Sequence, residues 1–156
     1  MLEGKPLRTT QSLALDDLVR LGDFYIRRVT EKNSKLFIRL IAQPPLNYFQ
    51  PVNFHLWDLE KAVSFDLTDG LRELEDDAET HVSLSSESLA FVLKHDWGID
   101  TLDVSGRFRT SQTHYNRLIK AFFLGALNNT GRYLHPRTLF EPSFMKRALL
   151  KLRKLR

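Results

Sequence analysis

The sequence predicts an α+β domain: an antiparallel sheet of about four to five strands with helices packed on one face. Three observations carry this. Between residues 52 and 108, apolar side chains recur at every second position in four separate segments. Before, between and after those segments, apolar residues recur at spacings of three and four. Strands follow one another before the later helices interleave, which is the order of an α+β chain.

The first helical face follows Ser12, a plausible N-cap, and carries Leu18, Leu21, Tyr25 and Val29. Asn33-Ser34 interrupts it. Leu36, Phe37, Leu40 and Ile41 resume a helical pattern, although Leu36, Ile38 and Leu40 also fit a strand, and Pro44-Pro45 ends the stretch in either case. Val52, Phe54 and Leu56 then alternate with polar neighbours, as do Val63, Phe65 and Leu67. The short Glu60-Lys61 region between them reads as a hairpin. Val82 and Leu84 give a third segment; Leu102, Val104 and Phe108 give a fourth, with Gly106 on its inner face. Successive strand side chains point to opposite faces, so each segment is apolar on one side and polar on the other. One face of the sheet is therefore expected to be covered and the other wet. An acidic loop, Glu73 to Glu79, separates the second and third segments.

Ser85-Ser86-Glu87 starts a helix with the face Leu89, Val92 and Leu93, and Gly98 is expected to cap it in a left-handed conformation. The clearest element runs from Tyr115 through Leu118, Ile119, Phe122, Phe123 and Ala126 to Leu127, read as one long helix stopped by Asn128-Asn129-Thr130-Gly131. Beyond Pro142-Ser143, Phe144, Ala148, Leu149, Leu152 and Leu155 lie on one side of a basic amphipathic helix. The whole chain, 1–156, reads as one domain: a helical region 12–43, an α+β core 50–131 and the C-terminal helix 143–156.

The 156 residues suit one domain, and 42% apolar with 27% charged residues is a globular composition. There is no cysteine, which excludes a disulfide framework, a thiolate nucleophile and Cys-ligated zinc. The longest apolar run, Ala121 to Leu127, is far short of the ~20 residues of a membrane-spanning helix. With no apolar signal core near Met1, a cytoplasmic location is expected. The net charge of +4 is uneven: residues 143–156 hold six cations and no acid, leaving 17 basic and 19 acidic residues elsewhere. The basicity belongs to the tail, whose cations are not interleaved with stacking aromatics, so nucleic-acid binding is not expected.

No catalytic constellation stands out. The five histidines, His55, His81, His95, His114 and His135, show no metal-ligand spacing, and neither a metal nor a cofactor is expected. His55 and His81 could share the wet face but lack a third ligand. His55 and Asp58 point to opposite faces unless the strand has ended between them. His95-Asp96 suits a helix C-terminus without any catalytic role. Ser85, Ser86 and Ser88 lack the surroundings of a nucleophile elbow and read as caps. Phe91, Trp97, Phe108, Phe122, Phe123 and Phe140 crowd the second half, where aromatics serve equally as core or as the lining of an apolar pocket.

The segment HVSLSSESLAFVLKHDWGIDTLDVSGRF, His81 to Phe108, runs strand, double-serine cap, amphipathic helix, Trp-Gly turn, then a stretch ending Gly-Arg-Phe. With the preceding hairpin and the following helix it resembles the sterol-carrier-protein type of domain, over about residues 50 to 131. In particular it looks like the small domain at the C-terminus of certain metallo-β-lactamase-fold hydrolases. The resemblance implies a sheet with helices over one face and an apolar tunnel for lipid or acyl chains. By position, Leu89, Val92, Leu93, Phe122, Phe123 and Ala126 would line that tunnel. The hydrolases keep their metal chemistry in a separate domain with an H-x-H-x-D-H motif, which this chain lacks. The function expected is therefore a non-catalytic accessory domain that binds an apolar ligand and partners a hydrolase domain. The alternative is a dimerisation or protein-interaction module with no small-molecule ligand. A homo-oligomer is expected in either case. The tail 143–156 would pack on an apolar surface or touch an anionic membrane.

Overall fold

Leu15–Lys32 form helix α1, with Asp16 and Asp17 in its first turn and Lys32 in its last, as the helix dipole favours. The computed structural model describes residues 13–75 and 77–137, so Ser12 lies outside the described residues; Ala14 precedes the helix without a side-chain cap. Helix α2 (Lys35–Ala42) starts at Ser34, whose side chain accepts the Phe37 amide. That cap settles the ambiguous stretch as helix.

Strands β1 (Val52–Leu56) and β2 (Lys61–Asp66) form the expected antiparallel hairpin, with Phe54 opposite Val63. Val52, Phe54 and Leu56 are buried while Asn53 and His55 face the other side. Two features depart from the sequence reading. Strand β3 (Gly70–Glu73) pairs with β2 in what reads as the start of the acidic loop. Its four residues include only two buried ones, too few to show a period. Strand β4 (Val82–Leu84) pairs with β1 in parallel, so the sheet is mixed, not wholly antiparallel. The chain passes through β2, β3 and the acidic loop before it returns beside β1, and enters from the end where β1 began. With β5 (Phe108–Thr110) the order is β3-β2-β1-β4-β5.

Helix α3 (Ser86–Lys94) has Ser85 as its N-cap, as expected. The expected strand from Leu102 is instead helix α4 (Gly98–Ser105). Leu102 is buried but Val104 is 90% exposed, so the apparent alternation does not describe a sheet face. Gly106 ends α4 with a left-handed φ of 62°, the conformation that Gly supplies at helix ends. Gly98 is not the cap of α3: a Cβ there would lie 2.6 Å from the Val92 Cα, so it permits α4 to start hard against α3. The long helix is also two helices, α5 (Gln112–Ala121) and α6 (Phe123–Asn129), joined at a non-helical Phe122. One residue of turn preserves the apolar spacing on both sides, which is why the sequence reads as continuous.

The core lies between one face of the sheet and the helices. Helix α1 packs on α3, β3 and α6. The Phe122 ring stacks on Phe65 at 4.9 Å, and Tyr25 meets both edge-on at 5.5 and 5.7 Å. Each such fully buried side chain contributes about 1.5–3 kcal/mol relative to exposure. Among the described residues, no helix is long and apolar enough to cross a membrane. The expected helix 143–156 lies outside the described residues.

Candidate functional site: the open face of the sheet

The face of the sheet turned away from the core carries polar side chains in rows across the strands. In one row, Asn53 stands opposite Ser64, and Ser64 opposite Arg72. His81, just before β4, extends this row: its amide donates to the Asn53 carbonyl and its Nδ1 accepts the Asn53 amide at 3.0 Å. In the next row, Arg109 of β5 lies opposite Ser83, Ser83 opposite His55, and His55 opposite Ala62. Ser64 and Ala62 are small and nearly buried between longer neighbours, so they form the floor of a shallow surface.

Arg117 of α5 reaches over the first row, its Nη1 2.7 Å from the His81 Nε2. The His114 ring lies 4.6 Å from the His81 ring. Burial, then the Arg117 and His114 charges, lower the His81 pKa, opposed by Glu79. The ring is thus held neutral near pH 7.

Two clefts open here. One, of about 480 Å³, is walled by Arg72, Arg117, His81 and Asn53, with Ser64 below. The other, of about 560 Å³, lies where Ser83 and Arg109 meet Trp57, Arg107 and the start of α3. Trp57 is 56% exposed there. Among the described residues the ion pairs engage Arg20, Arg28, Lys32 and Lys61, and none engages Arg72, Arg107, Arg109 or Arg117. The sequence distribution agrees: from Val104 to the end Glu141 is the only acid, against twelve Lys and Arg. Glu87 also lines the second cleft, but among the described residues no carboxylate forms an ion pair with these four arginines, so the open face is rich in cations.

The residues expected to line an apolar tunnel fall elsewhere. Leu89, Val92, Leu93 and Phe122 are buried in the core; Phe123 and Ala126 are partly buried and pack against it. None of the six lines either cleft, nor the smaller ones beside Tyr48 and Phe91. The histidine and serine groupings are accounted for by structure. The strand ends at Leu56, so Asp58 turns away from His55 and accepts both the Ser86 amide at 2.7 Å and its hydroxyl at 2.5 Å, fixing the start of α3. Asp96 is held by Arg28 at 2.6 Å and by Lys32, while His95 stacks on Trp97. His55 and His81 do share the open face, in successive rows. Among the described residues, no group of three His, Asp or Glu side chains is placed to hold a metal ion.

Sequence reasoning missed Arg72, Arg109 and Arg117. The alternation marked the open face through Asn53, His55 and Ser83, so the face itself was legible. Arg72 sits on the unrecognised β3, and Arg117 reaches the face from a helix whose apolar side alone drew attention. No family model matches the chain, no curated protein matches it, and no solved structure matches it.

Proposed function

We propose that this chain is a non-catalytic accessory domain that works by docking through its open sheet face onto an acidic protein surface. The observation that carries the reading is the set of arginines, Arg72, Arg107, Arg109 and Arg117, on or beside a polar face, none of them in an ion pair among the described residues. An unneutralised patch of one sign speeds and orients encounter with a complementary surface. The exposed Trp57 adds the kind of aromatic anchor that interfaces favour. The resemblance supplies the partner: a metallo-β-lactamase-like hydrolase domain, beside which a module of this type stands.

Apolar-ligand binding is the second reading. It is favoured by one observation: Phe123 and Ala126 reach the surface at the turn between α5 and α6, where an acyl chain would have to enter. It requires the packed core around Phe122 to part, which docking does not.

Sedimentation velocity decides between them. The chain is mixed with a metallo-β-lactamase-fold hydrolase domain, in low and high salt. Docking gives a complex that salt weakens and that Arg72→Glu with Arg109→Glu abolishes. A complex indifferent to both changes, or no complex with that domain, overturns it. Saturable uptake of a fluorescent fatty acid by the unmixed chain would move the apolar reading to first place.

A further inference from the structure

The contact between Arg117 and His81 is unfinished. The His81 Nδ1 accepts the Asn53 amide, so in the neutral ring the proton sits on Nε2. Arg117 Nη1, which has hydrogens and no lone pair, lies against the ring, 2.7 Å from Nε2 and 3.4 Å from Nδ1. With the Nδ1 lone pair taken by Asn53 and the Nε2 protonated, the ring offers the guanidinium no free acceptor, and among the described residues no carboxylate pairs with Arg117. Arg72 walls the same cleft from β3, and Ser64, 2% exposed, lies at its floor with a hydroxyl. The charged groups that act on His81 are Arg117 and His114 from α5 and Glu79 from the preceding loop. Glu79 is exposed and pairs with neither arginine, and its backbone carbonyl is taken by the Asn53 side chain.

What is missing from this arrangement is a polyvalent acceptor. We infer that Arg117, Arg72, His81 and Ser64 form a binding site for the phosphate group of a small phosphomonoester. The donors arrive from a helix, two strands and a strand end, and a phosphate offers such a set more acceptor oxygens than a carboxylate does. Two guanidinium groups match a charge near −2. The cleft of about 480 Å³ is far larger than a bare phosphate fills, since a water's share is about 30 Å³, so it admits the organic part of a monoester. The site shares a face with the docking reading but stands without it, because it needs no protein partner.

Calorimetric titration of the whole chain with inorganic phosphate, glycerol phosphate and acetate tests it, with NMR of the His81 ring nitrogens in parallel. Glycerol phosphate should bind at least as tightly as inorganic phosphate, and acetate at least tenfold more weakly. Arg117→Gln and Arg72→Gln should each weaken phosphate binding at least tenfold, Arg117→Lys less so, and Arg109→Gln not at all. Phosphate should shift the His81 Nε2 resonance. Equal responses to phosphate and acetate, or a phosphate response unchanged by both Gln variants, would overturn the site. Should Arg117→Gln fail to fold, the exposed Arg72→Gln decides alone. Loss of the protein complex with phosphate binding intact would overturn docking only; the reverse would overturn only this site.

Discussion

The Tyr25 hydroxyl and the Gly125 amide are locked together at the turn between α5 and α6. The amide donates to Tyr25 Oη at 3.2 Å, and Oη donates to the Phe122 carbonyl at 3.3 Å. A Cβ at position 125 would lie 2.6 Å from that oxygen. Complete burial drives the Tyr25 pKa far up, so the hydroxyl keeps its proton and its donor role. The pair ties the middle of α1 to a helix break 100 residues away.

Gly125→Ala should destabilise by about 1–3 kcal/mol through overpacking, despite the better helix propensity of Ala. Tyr25→Phe should cost about 1–3 kcal/mol by leaving buried groups unpartnered. Because the hydroxyl is the clashing atom, the double variant should lose less than the sum. Urea midpoints of the four proteins test this. Strict additivity would show that the contact does not govern either cost.

Arg28 holds three partners: Asp96 at 2.6 Å and the carbonyls of Leu93 and Lys94 at the end of α3. Arg28→Met keeps much of the stem but strands a largely buried carboxylate, since Asp96 is 16% exposed. A loss of about 2–4 kcal/mol is expected, somewhat below that of a fully buried pair because Lys32 remains near. Thermal unfolding should show it, and Asp96→Asn in the Arg28→Met background should recover part.

Phe122 fills the centre of an aromatic cluster with Tyr25, Phe54 and Phe65. Phe122→Ala should cost about 3–5 kcal/mol, the range for emptying a packed aromatic site. If the core is only a core, a fluorescent fatty acid shows no saturable binding to the parent protein. Binding by the parent that Phe122→Ala weakens would instead support the apolar-ligand reading.

The depressed His81 pKa gives stability a definite pH dependence. The unfolded ring takes its proton more readily than the folded one, so acid favours unfolding. The contribution is full above the ordinary imidazole value and is lost as pH falls through it towards the lower folded value. Urea midpoints should therefore fall between about pH 7.5 and 5.5, and His81→Gln should flatten that slope. An unchanged slope would remove His81 as its source.

How much of this was legible follows from the length of each periodic signal. The β1–β2 hairpin, α1 and the Ser85 cap were readable because each combines a run of apolar spacing with a local signal. The strand β3 has only four residues, and two buried positions define no period. Residues 98–108 misled because Leu102, Val104 and Phe108 alternate by number, while Val104 spends its apolar surface in solvent. The break at Phe122 left no trace, since the apolar spacing runs on through it and its hydrogen-bond partner, the Tyr25 hydroxyl, lies far away in sequence. The arginine cluster escaped for a similar reason: Arg72, Arg109 and Arg117 are scattered along the chain and meet only through strand register and the reach of a helix.

The parallel pairing of β1 with β4 carries a kinetic consequence. The hairpin β1–β2 and its neighbour β3 close over short turns, whereas 25 residues separate Leu56 from Val82. Closing that larger loop adds entropy cost before any contact rewards it, although the cost grows only slowly with length. Local strands are then formed while the return to β1 is still awaited, and sheets with distant partners fold more slowly than local ones. Until β4 arrives, β1 is an unprotected edge with free amides and carbonyls along one side, which is the form in which a chain pairs with the wrong neighbour. The Ser86–Asp58 bonds join the chain just beyond β4 to the chain just beyond β1, so the contact that fixes the start of α3 also holds β4 beside β1 once it has arrived and keeps that edge closed.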